Sequence, residues 1–589
     1  MKYTALSTPL RPSLALLSAA LFLIWCVGTL GRGYWTPDEP READIAWRMS
    51  WQPERAVPLL AGEAFCEKPP LTYWLAALPI RLFGTEAWAA RLPNVLYAMI
   101  AALGVGLLAL RSAGRVAGLA GAAAMGTFLL SYQTSIWLAT DAPLLAAVSV
   151  ALLGAYRGFY AMGRRERLRG YLLMHAALGL GFLCKSAVAW MVPALGLVTL
   201  ALWEKRWREL LRWELYLGLI LQAAMILTWI WFVYMGPDGL AHLKVFFWNN
   251  LVGRFTRLDA PSELQYAAAH RNSPGKYLIE LPLYLAPWTL LAAAALRRAW
   301  RQRKNPLDDH RPVRFALAAS LPSLVILSMA ATARNIYFAP ALPGVALLLG
   351  WWTREISQAP DRWDIRALRA TSVLLLLGAL ILMAALGVTG ADAWSTMSSH
   401  AAFIVLSAVG LALAAALGLH AWTAARDHVQ QAQWSLFLAY CALLAGPASQ
   451  LYTLVDTWQD LPSIARAVER DASGKPLILF APDETTRAII DMYARTTVDL
   501  IPGPIDAAAI EHLRTRAGAA PQSLVVVLLP GRATSMQRLR HAFGARRDPA
   551  AQPPGGPPEL PWLQSAGLRV AKSYALPNGR RYALLELNP

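Results

Sequence analysis

Asp38, Glu39, Arg41, Glu42, Asp44 and Arg48 crowd into "TPDEPREADIAWRM" (36–49), in a chain that is 56% hydrophobic and only 16% charged. Spacings of three and four put Asp38, Arg41, Glu42 and Ile45 on one helical face. Carboxylates are the side chains that orient groups or take protons, and guanidiniums those that meet negative charge. Glu39 reads differently. Thr36 and Glu39 have capping-box spacing, and Pro37 suits a first helical position, so Glu39 is expected to be a helix cap. In "FCEKPPLTYW" (65–74), Glu67 and Lys68 precede a double proline that stops a helix and fixes the backbone. Asp141, in "ATDAPLL", stands at the mouth of an apolar run, where a carboxylate usually faces a cavity.

These residues must be held by elements built for lipid. Mean hydropathy is +0.37 over 589 residues, and apolar runs long enough to cross a bilayer recur along three quarters of the chain. The runs are continuous and do not alternate, which excludes a β-barrel. Thirteen spans are expected, at about 13–30, 92–110, 116–133, 142–160, 171–184, 186–203, 214–235, 279–296, 313–331, 336–353, 370–389, 402–422 and 433–453. With the N-terminus in the cytoplasm, nearly all basic clusters fall on that side, among them Arg164–Arg169 and Arg297–Lys304. That placement accounts for the net charge of +18, and nucleic-acid binding is excluded as its purpose. The four cysteines form no metal or disulfide framework; Cys66 and Cys184 could meet outside the membrane, and spacing alone does not pair them.

Residues 1–455 are expected to form the transmembrane domain, with outer loops at 31–91 and 236–278. Residues 456–589 are expected to form an outer α/β domain, from the strand-like "PLILFAP", "SLVVVLLP" and "GLRVAKSYALP…RRYALLEL" with a helical "TTRAIIDMYAR" between the first two. "RRDPAAQPPGGPPELP" reads as a Pro/Gly-rich loop. The helix following Thr36 is expected to lie along the membrane surface, with Ile45, Ala46 and Met49 available to lipid or protein and its polar face toward a cavity.

"PDEPREADIAWRM" followed by "FCEKPPLTYW" resembles the first outer loop of the bacterial lipid A aminoarabinose transferases. These are lipid-to-lipid members of the protein-mannosyltransferase-like superfamily with the GT-C fold. "ATDAPLL" (139–145), "FLCKSAVAWMVP" (182–193), "FFWNNLVGRF" (246–255), "HRNSPGKYLIELP" (270–282) and "NIYFAPALPG" (335–344) agree in order and placement. One departure is Ala333-Arg334-Asn335-Ile336-Tyr337, where Lys-Arg ordinarily stands before the tyrosine. The resemblance implies an inverting transfer of 4-amino-4-deoxy-L-arabinose, or a related sugar, from undecaprenyl phosphate to a lipid A phosphate. The setting would be the periplasmic face of the inner membrane, the outcome polymyxin resistance, and the working unit a monomer.

On that reading Asp38 is the base or acceptor-orienting carboxylate, with Asp141 its runner-up. Arg41, Glu42, Lys68, Arg254 and Tyr337 contact substrate. Arg254 could instead snorkel to the interface, and Tyr337 could belong to the aromatic belt. Glu67 and His270, perhaps with Asp141, are compatible with a divalent ion (Zn or Mg). An enzyme moving hexose or aminohexose from a polyprenyl phosphate to another site fits the same motifs. A secondary transporter fits less well, because the charges lie in outer loops and not at the midplane.

Overall fold

The computed structural model describes residues 10–53, 55–250, 252, 275–305, 309–330, 334–394, 399–456, 459–494, 496–529, 560–576 and 579–588. After α1 (Leu10–Thr29) the first long loop holds α2 (Asp38–Trp51), a short hairpin of β1 (Leu59–Leu60) and β2 (Glu63–Ala64), and α3 (Leu71–Phe83). Then come α4 (Ala87–Ala113), α5 (Arg115–Thr127), α6 (Leu129–Ile136), α7 (Asp141–Phe159), α8 (Arg164–Lys185), α9 (Val188–Trp203) and α10 (Trp213–Met235). The second long loop carries α11 (Gly239–Lys244) and a π-helical turn over Val245–Asn249. Beyond it lie α12 (Lys276–Tyr284), α13 (Thr289–Gln302), α14 (Arg311–Met329), α15 (Leu342–Gln358), α16 (Arg362–Ala393), α17 (His400–Ala424), α18 (Val429–Leu443) and α19 (Ser449–Asp456).

Each of the thirteen expected stretches is helical. By length and composition, eight described stretches suffice to cross a membrane, or ten if each of two bent pairs counts once. Of the remaining three, α1 and α9 are shorter apolar helices, and α8 carries Arg164–Arg169 in its first turns. Two of the expected straight spans are broken: α5 and α6 meet at 61°, α12 and α13 at 109°. The breaks satisfy each other. The Leu129 amide donates to the Ala286 carbonyl at 2.9 Å, and the Trp288 indole to Thr127 Oγ1 at 2.9 Å. Backbone groups freed inside an apolar bundle need such partners; Pro287, with no amide hydrogen, could not have continued a helix.

Close approach fixes α7 against α8. A Cβ on Gly154 would lie 2.5 Å from the Met174 amide nitrogen, and one on Gly170 2.4 Å from that of Gly158. Small residues at such crossings let backbones touch, which is how helices pack tightly without a hydrophobic driving force between them.

The tail begins with α20 (Leu461–Ala472) and forms a five-stranded sheet in the order β4-β3-β5-β7-β6. β3 (Leu477–Phe480) pairs in parallel with β4 (Val498–Ile501) and with β5 (Leu524–Leu529). β7 (Arg581–Leu587) pairs antiparallel with β5 and with β6 (Leu568–Ala575). Helices α21 (Glu484–Tyr493) and α22 (Ala507–Ala519) cover it. Alternation assigns the faces: Leu477 and Leu479 pack in one cluster with Ile464, Ile489 and Ile490, while Ile478 and Phe480 pack in another with Leu513. β4 and α22 were not expected from the sequence. The expected Pro/Gly-rich loop (546–561) lies almost wholly outside the described residues.

Of the two contacts expected for the apolar face of α2, lipid or protein, the structure shows protein. Ile45, Ala46 and Met49 are buried, because α2 lies beneath α21 of the tail and its apolar positions Ala43 and Ala46 join the sheet-side cluster. The outward apolar face belongs to α3, whose Leu78, Leu82 and Phe83 are exposed. That helix, and not α2, has the surface suited to lipid.

Candidate active site

Glu39 is no cap. α2 starts without any side-chain cap, and the Glu39 carboxylate is wholly inaccessible. It accepts from Arg32 Nη1 at 2.7 Å, Arg91 Nε at 2.8 Å and Nη2 at 2.7 Å, and from the amides of Trp35 and Leu138 at 2.8 Å each. Burial pushes its pKa up, but the two guanidiniums more than offset this and hold it at about 2. The capping-box spacing was a coincidence of sequence, because Thr36 turns instead to Gln459. The node joins the ends of α1 and α6 to the starts of α2 and α4. It sets the place of α2, and hence of Asp38.

Asp38, the first residue of α2, is gripped by both terminal nitrogens of Arg334, one of them at 3.0 Å from Oδ1. Arg41 Nη2 stands 3.3 Å from the same carboxylate and 3.8 Å from Glu42. Burial raises the Asp38 pKa, yet the Arg334 hydrogen bonds and charge, with Lys68 and Arg41 beyond, leave it below its ordinary value. Asp38 is therefore an anion. Lys68, on the turn that the double proline ends, is ion-paired with Glu42. Glu67 makes no ion pair among the described residues; its carbonyl accepts from the Asn250 side chain, tying the two long loops together.

A second pair completes the arrangement. Asp141 opens α7 and is ion-paired with Lys185, the last residue of α8. Ser186 has φ +63, a backbone conformation uncommon for a residue with a side chain, and this sharp turn leaves Lys185 at the helix end. Its Nζ is 4.6 Å from the centre of the Tyr337 ring. Asp141 and Tyr337 both lie within the electrostatic reach of Arg334, which joins the two halves of the site. The Tyr277 hydroxyl donates to the Arg334 carbonyl at 2.6 Å and pins that loop.

Asp38, Arg41, Glu42, Lys68, Glu67, Asp141 and Tyr337 thus gather at one end of the bundle. Arg254 and His270 lie outside the described residues. Of the expected metal set only Glu67 and Asp141 are therefore described; among the described residues no group of three or more His, Cys, Asp or Glu is placed to hold an ion. All four cysteines are free. Two site residues escaped sequence reasoning. Lys185 passed for a break between spans, although a lone lysine between apolar helices was a signal. Arg334 was noted only as a departure from a pattern, yet it is the partner of Asp38.

The architecture defines the class: a multi-pass membrane protein with the GT-C fold. It superposes on ArnT from Cupriavidus metallidurans bound to undecaprenyl phosphate with a TM-score of 0.68, covering 97% of both chains at 19% identity. Its apo state gives 0.65, covering 98% of both at 18% identity. Residues 67–232 match the dolichyl-phosphate-mannose-protein mannosyltransferase family.

Curated homologues narrow the class, and they carry the name the outer-loop motifs led one to expect. The chain is 31% identical over 377 residues to the undecaprenyl phosphate-alpha-4-amino-4-deoxy-L-arabinose arabinosyl transferase of Pseudomonas paraeruginosa. It is 28% identical over 430 residues to that of Erwinia tasmaniensis, covering 70% of this chain and 72% of the relative. The Pseudomonas match covers 64% of this chain and 65% of the relative, so it spans just under two thirds of that protein.

Proposed function

We propose that this chain is an inverting glycosyltransferase that moves 4-amino-4-deoxy-L-arabinose from undecaprenyl phosphate to a phosphate of lipid A. It would act at the periplasmic face of the bacterial inner membrane and give resistance to polymyxin and other cationic peptides. The observation that carries the reading is the array of Arg41, Lys68, Lys185 and Arg334 around three carboxylates, Asp38, Glu42 and Asp141, at one end of an apolar bundle. A lipid phosphate meets several cations there while its chain stays among apolar helices.

In the reaction the bond from sugar C1 to the carrier phosphate oxygen breaks with its electron pair going to the phosphate. A new bond forms from C1 to an acceptor phosphate oxygen. Cations fixed in place before reaction stabilise the charge on the departing phosphate, and Lys185 with the Tyr337 ring and hydroxyl, together with Lys68, are assigned that work. Lys185 and Lys68 are each paired with a protein carboxylate, so the incoming phosphate exchanges one anionic partner for another at little new desolvation cost. The acceptor phosphate is already anionic and needs no base. Asp38, held ionised by Arg334, orients the acceptor and faces the positive charge that develops on the sugar.

Mass spectrometry of lipid A from cells with and without the gene tests the proposal. The expected change is one aminopentose per modified phosphate. A hexose or aminohexose increment would instead support the related polyprenyl-phosphate sugar transferase. Unchanged lipid A, with folded protein in the membrane, would reject both.

A further inference from the structure

We infer that the end of the α7–α8 pair remote from the candidate active site is a binding site for the phosphate headgroup of an anionic phospholipid. The placement follows from the helices themselves. α7 begins at Asp141, in the site, and runs 19 residues to Phe159, a rise of about 28 Å. α8 runs back from Arg164 to Lys185. Arg157 and the start of α8 therefore lie at the opposite membrane face.

At that end a pocket of about 530 Å³ is lined by Arg111 from α4, Arg157 from α7, and Arg164, Arg165, Glu166 and Arg169 from α8. Five guanidiniums share it with one carboxylate. Among the described residues none of the five makes an ion pair, whereas neighbouring Arg167 is paired with Glu209 and Glu214. Arg157 Nε is buried and has no hydrogen-bond partner. The first turn of α8 follows Gly163 with no side-chain cap, so its free amides open on the same pocket.

Topology alone would ask only for basic residues near this face. It would not ask for a concave set drawn from three helices. A phosphate diester supplies what is missing: acceptor oxygens for Arg157 and the α8 amides, and charge to relieve five mutually repelling cations. The glycine contacts between α7 and α8 keep the pocket's two main walls in fixed register. A phospholipid, and not a soluble phosphate, is the source that fits, because the walls are the ends of membrane helices.

The test uses full-length purified protein titrated with dioctanoyl phosphatidylglycerol, dioctanoyl phosphatidylcholine or inorganic phosphate, with binding read by native mass spectrometry and thermal shift. Saturable binding of phosphatidylglycerol is expected, with neither of the others competing at equal concentration. R165Q/R169Q, which alters exposed side chains only, should weaken it about tenfold or more, and R157Q should also weaken it. R208Q, on an exposed arginine elsewhere on that side, should leave affinity unchanged. Equal binding to wild type and R165Q/R169Q, equal weakening by R208Q, or equal affinity for phosphatidylcholine would overturn the inference. Competition by inorganic phosphate would overturn the assignment to a lipid.

Discussion

Charge pairing governs the chemistry at the scale of single residues. Lys185→Ala is expected to lower transfer by roughly 10²–10³-fold while the purified protein still elutes as a single folded species; near-normal turnover would remove Lys185 from the site. Glu39→Gln should do something else. It leaves Arg32 and Arg91 buried without their anion, a loss of roughly 3–5 kcal/mol, visible as a large fall in Tm measured before any assay of activity. Asp44 predicts a pH effect. Burial, against the pull of Arg48 and the Ala61 amide, raises its carboxyl from 3.8 to about 6. Between these values the folded chain holds a proton that the unfolded chain has released, so this group's contribution to stability falls as pH rises through that window. Glu39, held at about 2 from 4.5, has the opposite sign: its contribution is present above pH 4.5 and is lost as pH falls toward 2. The Tm difference between wild type and Asp44→Asn should therefore shrink from pH 4 to 6 and stay constant above. A difference that is flat across pH 4 to 7 would show that Asp44 does not titrate there.

At the scale of elements, positions are set by backbone contact more than by side-chain fit. The α7–α8 crossing brings Gly158 and Gly170 so close that a single methyl at Gly170 has no room. Gly170→Ala is expected to cost roughly 1–3 kcal/mol by overpacking and to loosen the Asp141–Lys185 pair at the far end of the same helices. Tm and turnover should fall together; a variant with normal values for both would mean that the crossing yields without effect. The mated breaks of α5–α6 and α12–α13 follow the same logic, each break supplying the polar partner the other lacks. α3 was missed as an element because a mostly apolar stretch of thirteen residues is too short for a span. Its exposed Leu78, Leu82 and Phe83 nonetheless give it the one-sided character of an interfacial helix.

The whole molecule places a roof over the site from two distant parts of the chain. α21 rests on the start and body of α2 and on the β1–β2 hairpin through Arg41 Nη1 to Glu484 at 2.6 Å, Arg487 to Glu63 at 2.8 Å, an ion pair of Arg48 with Asp491, and a hydrogen bond from Thr485 to the Pro37 carbonyl at 3.1 Å. Arg41 thus links Asp38 and Glu42 to the tail. A chain ending after Asp456 should insert in the membrane yet lose this cover, exposing Ala43 and Ala46. Trypsin is then expected to cut at Arg41 and Arg48 in the truncated protein and to spare both in the full chain. Identical digestion patterns would show that the tail does not shield the loop.

The sequence by itself determined the membrane class, the helical nature of all thirteen apolar stretches, the strand-and-helix character of the tail, and the motif-bearing loops from which the site is built. These follow from local hydrophobic runs and short fixed spacings. Only the tertiary structure decided which charges meet. Glu39 has a cap's spacing but a core position, because Arg91, 52 residues away, and the Leu138 amide converge on it. Asp38 finds Arg334 across 296 residues and Asp141 finds Lys185 across 44. Composition and periodicity report how each segment faces lipid or water, whereas the choice among many cations for one buried carboxylate depends on where the packed helices end.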